Sequence, residues 1–221
     1  MKRLFNTFIV LLILIQISFA QDKPRFFDDV QTIKKYDKNY RPGTNAILFV
    51  GSSSIRKWDH LQQAFGHYNV LNRGIGGAVI DDIIFYLNDL VFKYKPRQIV
   101  IYVGDNDLSH ENETPETIFD KTVKLYNAIR EKLPDIPIVY ISIKPSPSRA
   151  KYLDKGKATN ELIRTFIQKE KNASFLDVYS LMIRDGKTMP EIFVGDMLHM
   201  NLDGYKIWEN AIRPYLVKNE N

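Results

Sequence analysis

The apolar run Ile47-Leu48-Phe49-Val50 stops at a glycine and three consecutive hydroxyl side chains, Gly51-Ser52-Ser53-Ser54. A serine delivered there by a buried strand can present its Oγ as a nucleophile. The first N–H groups and positive dipole end of a following helix would stabilise negative charge beside it. The same serines can simply cap that helix, a use for which serine is among the preferred residues. A serine nucleophile also needs a base, and the histidines are His60, His67, His110 and His199. His199 is the best candidate, because in Asp196-Met197-Leu198-His199 a carboxylate three residues away can hydrogen-bond one imidazole nitrogen and leave the other facing a hydroxyl. A lone histidine before a helix also serves as an ordinary structural residue. A tetrahedral intermediate further requires donors aimed at one point. The loop Asn72-Arg73-Gly74-Ile75-Gly76-Gly77 offers backbone N–H groups at glycines, and Asn106 offers a side-chain amide. Tight turns and loop caps are the other uses of these residues.

Position is what would bring such groups together, and the chain has a regular rhythm of apolar runs. Ile47–Val50, Tyr68–Leu71, Gln98–Val103, Ile138–Ile143 and Phe175–Val178 read as strands, several rich in β-branched residues. Between them lie helical segments. One is expected around Asp59–Phe65 and another over about Asp81–Lys93, with Ile83, Ile84, Leu87, Leu90 and Val91 on one face. Thr114-Pro115-Glu116 gives a cap, a first-turn proline and an early acid for a helix running to about Lys132. An amphipathic helix over Tyr152–Lys171 and a closing helix over Leu202–Leu216 complete the series. Strands alternating with helices of this length predict right-handed crossovers and a mainly parallel sheet between helical layers, an α/β fold. Such sheets carry their sites at strand carboxyl ends, where Ser53, the Gly74–Gly77 loop and Asn106 all fall.

At 221 residues, with 44% hydrophobic and 26% charged, the chain has the composition of one ordinary globular domain. Lys2 and Arg3 precede an uncharged apolar stretch, Leu4–Ala20, that ends in Ser18-Phe19-Ala20. This reads as a secretory signal over residues 1–20, cut before Gln21, which makes the protein periplasmic or secreted. Retention as a membrane anchor is the alternative, and cleavage would leave no stable membrane insertion. Residues 21–45 are polar, carry Pro24, Pro42 and Gly43 as breakers, and read as an irregular surface extension. The domain proper is then 46–221. The net charge of +5 falls to +3 without Lys2 and Arg3, no argument for a nucleic-acid partner. Zero cysteines exclude disulfides, thiol catalysis and thiolate metal sites.

Other short matches fail on context. Ser54-Ile55-Arg56-Lys57 fits a Ser-x-x-Lys element, but no Ser-Asp-Asn or Lys-Thr-Gly accompanies it. Gly74-Ile75-Gly76 is followed by Val79 where a dinucleotide fingerprint needs glycine, and Asp105-Asn106-Asp107 lacks the remainder of a calcium loop. No cofactor and no metal are indicated. The Gly-x-Ser-x-Gly elbow of ordinary α/β-hydrolases is missing too, since Ile55 occupies its last position.

Gly51-Ser52-Ser53, the Gly77 loop, Gly104-Asp105-Asn106-Asp107 and Asp196-Met197-Leu198-His199 occur in an order that resembles the SGNH, or GDSL-type, hydrolases, over nearly the whole mature chain. The resemblance implies a three-layer α/β/α sandwich around a flavodoxin-like five-stranded sheet, and an esterase mechanism. By position it implies Ser53 as nucleophile, Gly77, Asn106 and the Ser53 N–H as oxyanion donors, and Asp196 and His199 as the rest of a triad. Ser54 is then the expected helix cap. Ser52 stands where the family usually has aspartate. The expected activity is removal of a small acyl group, such as acetyl, from a carbohydrate or other small ester. A lysophospholipid or other lipid ester is the second expectation, and a noncatalytic carbohydrate- or lipid-binding module the third. Arg149, in the loop Lys144–Arg149 after the fourth strand, is a candidate for meeting an anionic group of the substrate, or an ordinary residue of a solvated turn.

Overall fold

Strands buried on both faces need apolar residues at every position, and Ile47–Val50 supplies them: all four side chains are fully buried. A computed structural model describes residues 23–218. In chain order it contains helix α1 (Phe27–Tyr40), strand β1 (Ile47–Gly51), the short helices α2 (Ser53–Arg56) and α3 (Leu61–Ala64), and strand β2 (Val70–Gly74). Helices α4 (Ile80–Phe85) and α5 (Leu87–Leu90), strand β3 (Gln98–Tyr102), helix α6 (Pro115–Lys132), strand β4 (Ile138–Ile141) and helix α7 (Leu153–Ile167) follow. Strand β5 (Ala173–Leu176), a small ribbon of β6 (Ile183–Arg184) and β7 (Lys187–Thr188), and helix α8 (Leu202–Ile212) complete it.

The first five strands form one sheet in the order β2-β1-β3-β4-β5, with every neighbouring pair parallel. Alternate side chains of each strand feed two cores. Leu48, Val50, Ile99, Ile101 and Tyr140 face α4, α6 and α7, meeting Ile80, Ile83, Leu125, Ile129 and Ile163. Ile47, Phe49, Val100, Tyr102 and Val139 face the other layer, meeting Trp58, Leu61, Tyr205, Trp208 and Ile212. The result is the three-layer flavodoxin-like sandwich implied by the resemblance. Its strand order reverses between β1 and β3, whose following loops diverge to opposite faces of the sheet and open a crevice between them.

Residues 21–45 are not an irregular wrap: they contain the 14-residue helix α1. Val30 is 1% exposed in the core, and Phe26 and Ile33 pack against it, one helical turn to either side. Asp28 and Asp29 lie in the first turn, where acidic residues favour a helix start. Charged and polar side chains cover the rest of the helix surface and hide its narrow apolar stripe. The expected 81–93 helix is broken at Tyr86 (φ −99°, ψ 14°), whose buried ring sends its hydroxyl to the Arg25 carbonyl at 2.8 Å. The closing helix gives way to a 3₁₀ turn at Arg213 ahead of Pro214, and strands two and five lie slightly off their expected limits. The expected leader, residues 1–20, lies outside the described residues. Among the described residues no helix is long and apolar enough to cross a membrane.

Candidate functional site

Gly51 ends β1 with φ 145°, and a Cβ there would stand 1.8 Å from the Tyr102 carbonyl oxygen. Only glycine fits that approach, so the strand turns at this point and no other. Ser52 donates its N–H to the Tyr102 carbonyl at 2.9 Å, and its own carbonyl accepts from Ile55 and Arg56. Ser52 is therefore the N-cap of α2 and Ser53 its first residue. Ser54 is not the cap; it is buried inside the helix.

The loop after β2 is drawn to the same place. A Cβ on Gly74 would meet the Arg56 backbone nitrogen at 2.2 Å, and the Ile75 N–H donates to the Gly51 carbonyl at 2.8 Å. Gly77 follows with φ 81°, in the left-handed region. Asn106, after β3, donates Nδ2 to the Ala78 carbonyl at 2.9 Å, which leaves one amide hydrogen for another acceptor. Both carboxylate oxygens of the buried Asp107 accept from the Ile80 N–H at 3.3 Å. These bonds tie the loops after β2 and β3 to each other. Burial pushes the Asp107 carboxyl up to about 6, against the opposing effects of the Ile80 N–H and the Lys121 charge.

Asp196 and His199 arrive on a hairpin closed by an antiparallel bridge between Phe193 and Met200, with Val194 N–H to His199 carbonyl at 2.8 Å. Met197, at φ 55°, makes the turn. Asp196 Oδ1 accepts the N–H groups of Leu198 and His199, each at 2.9 Å, and Oδ2 accepts from His199 Nδ1 at 2.5 Å. Partial burial acts to raise the Asp196 carboxyl, but the His199 imidazole and the two backbone donors outweigh it and hold it well below the usual carboxylate range. With the proton on Nδ1, His199 Nε2 is an acceptor, and Ser53 Oγ lies 2.9 Å from it. The chain carboxylate, imidazole, hydroxyl is a proton-transfer path of the Ser-His-Asp kind.

A GDSL-like lipase/acylhydrolase family model matches residues 43–207, most of the chain. The chain belongs to that family. It is thereby an ester-hydrolysing enzyme. No curated protein matches it in sequence. Among solved structures, a GDSL-like lipase from Bacteroides thetaiotaomicron is 18% identical with a TM-score of 0.71, covering 85% of this chain and 97% of that one. A lipase/acylhydrolase from Enterococcus faecalis is 20% identical with a TM-score of 0.58, covering 80% and 100%. A catalytic mutant of an acetylxylan esterase from Geobacillus stearothermophilus is 15% identical with a TM-score of 0.62, covering 80% and 96%.

In this GDSL-type hydrolase, His199 contacts both Asp196 and Ser53, and Gly77 and Asn106 lie on loops bonded to each other beside α2. Arg149 sits half-buried in the loop after β4, where the preceding Ser148 N–H donates to the Met197 carbonyl of the hairpin at 3.0 Å. Sequence reasoning missed three groups here. Lys57 Nζ lies 3.2 Å from His199 Nδ1. Lys144, with its side chain fully buried, donates to Asp105 at 2.5 Å. Arg25 reaches the Gly77 carbonyl at 3.0 Å and Asp82 at 3.0 Å, bracing the glycine loop from the N-terminal side. The lysine that follows the mainly apolar run Ile138–Ile143, just past β4, was the available signal for a buried counter-ion. His60 is occupied elsewhere, 3.0 Å from Glu209. Among the described residues no cluster of three or more His, Asp or Glu side chains could hold a metal ion.

Proposed function

We propose that the protein is an exported serine esterase that removes a small acyl group, such as acetyl, from a carbohydrate or another small ester, with Ser53 as nucleophile. The observation that carries this reading is the continuous contact from Asp196 through His199 to Ser53, at 2.5 and 2.9 Å. His199 Nε2 takes the Ser53 proton as Oγ attacks the ester carbonyl, and returns it to the departing alcohol. The negative charge that develops on the carbonyl oxygen is met by the N–H groups of Gly77 and Ser53 and the second amide hydrogen of Asn106. Asp196 keeps the proton on Nδ1 and stabilises the imidazolium. Water, activated in turn by His199, then releases the acyl group and restores Ser53.

The fold neighbour from Geobacillus stearothermophilus is an acetylxylan esterase, and this supports an acetyl group on a glycan. The Bacteroides thetaiotaomicron neighbour is a GDSL-like lipase, which keeps lipid esters as the second reading. Export rests on the basic start and apolar run of residues 1–20, and N-terminal sequencing of protein recovered from the extracytoplasmic fraction should begin at Gln21. Purified protein should hydrolyse 4-nitrophenyl acetate, and Ser53→Ala should abolish it; retained activity would remove Ser53 from the mechanism. Labelling of Ser53 by a fluorophosphonate should require His199. Glycan binding with neither turnover nor labelling would identify a noncatalytic module instead.

A further inference from the structure

Asp105 stands between Gly104 and Asn106, 4% exposed, and the mechanism above makes no use of it. Its Oδ2 accepts from Lys144 Nζ at 2.5 Å and from the Tyr102 hydroxyl at 3.2 Å. Lys144 is enough by itself to balance the single Asp105 charge, and Arg149 shares that carboxylate with it at longer range. A second cation is nevertheless present: Arg149 Nε lies 3.9 Å from Asp105 Oδ1, beyond hydrogen-bonding distance, and both atoms are buried without a partner. Burying part of a guanidinium whose charge is already surplus is unfavourable unless something else completes it. Among the described residues Asp105 is the one carboxylate paired with Arg149, and two cations share its single negative charge, which leaves the cluster one positive charge in excess.

The location of Arg149 says what would complete it. Its loop is bonded to the hairpin of Asp196 and His199 through Ser148 and Met197, and the carboxylate it approaches belongs to the neighbour of Asn106. Arg149 thus stands on a loop joined to the hairpin of Asp196 and His199, with its Nε turned toward the residue that precedes Asn106. Lys57 adds a second charge from α2, its Nζ 3.2 Å from His199 Nδ1. The Nδ1 proton is given to Asp196, so Lys57 contributes field here rather than a hydrogen bond. Lys57 thus adds positive charge beside His199, and Arg149 adds it on the loop bonded to the same hairpin.

We infer that Arg149 determines specificity by receiving an anionic group, a carboxylate or phosphate, carried by the ester substrate. The planar fork of a guanidinium suits either group. This rests on the reading of Ser53 as the esterase nucleophile, and it narrows the substrate class to charged esters.

Two matched pairs test it on the full-length mature protein. On the acyl side, 4-nitrophenyl acetate is compared with mono(4-nitrophenyl) succinate; on the alcohol side, an acetylated methyl glucoside with the corresponding methyl glucuronoside. The wild type should favour the charged member of one pair by about tenfold or more in kcat/KM, mainly through KM, as expected for one charge-assisted hydrogen bond. The responding pair shows which side of the ester bears the charge. The preference should shrink as salt rises from about 10 mM to about 0.5 M, a measurement that needs no variant. Arg149→Met should bring the ratio close to unity and Arg149→Lys should keep part of it, while a merely structural role would lower both members alike. Turnover of the neutral esters with no preference in either pair, or a preference that Arg149→Met leaves intact, would overturn the inference and leave the esterase standing. Turnover of neither pair would overturn both.

Discussion

Asp196 does two jobs with one carboxylate: Oδ1 holds the backbone of its own hairpin and Oδ2 holds the imidazole. Asp196→Asn leaves an acceptor for the two N–H groups but can turn an amide N–H toward Nδ1, which favours the tautomer with its proton on the nitrogen facing Ser53. The expected result is a fall in kcat of roughly 10³–10⁴-fold, with a small drop in the unfolding midpoint at pH 7 from loss of the charge that these donors stabilise. Asp107 makes a different prediction. Its carboxyl, about 6 in the fold, sits near 3.9 in an unfolded chain, so between these values the unfolded state holds fewer protons on this group. Its contribution to stability is therefore fully present below about pH 4 and is lost as pH rises through about 6. Asp107→Asn should remove that slope. Urea unfolding of both proteins at pH 4 and pH 7 should show the wild type losing on the order of 2–3 kcal/mol relative to the variant. Local pattern in the sequence identified the hydroxyl run and the Asp196-His199 spacing, but not which serine meets His199. Ser52 and Ser54 differ from Ser53 only in where the backbone points them, and that depends on Tyr102 and on the turn at Gly51.

The elements were legible in proportion to how much of their burial is local. β1, β3 and β4 are covered on both faces and announce themselves as unbroken apolar runs. Helix α1 buries a single stripe, so its polar majority concealed it. Val30→Ala tests its standing: removing two buried methyl groups from the core should cost about 2 kcal/mol in urea unfolding, whereas at a residue of a loose surface strap the cost would stay within about 0.5 kcal/mol. Gly51→Ala tests the turn that aims the serine. A Cβ 1.8 Å from the Tyr102 carbonyl oxygen, at a φ of 145°, forces β1 and β3 apart, and a loss of several kcal/mol, read as a drop in thermal midpoint, is expected. The edge strand β2 closes itself off without a neighbour. Asn72 Oδ1 accepts the Gly74 N–H, Arg73 covers the Asn72 carbonyl, and Arg73 is held in turn by Asp37 of α1. These side chains leave fewer backbone groups for another sheet to pair with.

For the molecule as a whole, the groups of the candidate site come from four places in the chain, with Ser53 and His199 separated by most of its length. The order β2-β1-β3-β4-β5 gathers the loops after β1, β2 and β3, because the reversal between β1 and β3 opens a crevice where their ends meet, and the long segment between β5 and α8 brings Asp196 and His199 to it. The α/β class followed from the alternation of strands and helices, whereas the side-by-side order of the strands depends on packing across both faces, which no local pattern encodes. Without cysteines, stability rests on the two cores, and a chain lacking residues 1–20 should fold, with full hydrolysis of 4-nitrophenyl acetate, under reducing and oxidising conditions alike. Beyond the bridge at Phe193 and Met200, whose side chains are buried in the second core, the tip of the hairpin at Val194, Asp196 and Met197 is exposed. Its bridge and tight turn make Asp196 and His199 one small unit, anchored in the core at Phe193 and Met200 and meeting Ser53 through His199 Nε2. Heating should unlatch that unit before the sheet melts. Turnover would then vanish reversibly at temperatures where far-UV circular dichroism still reports an intact protein.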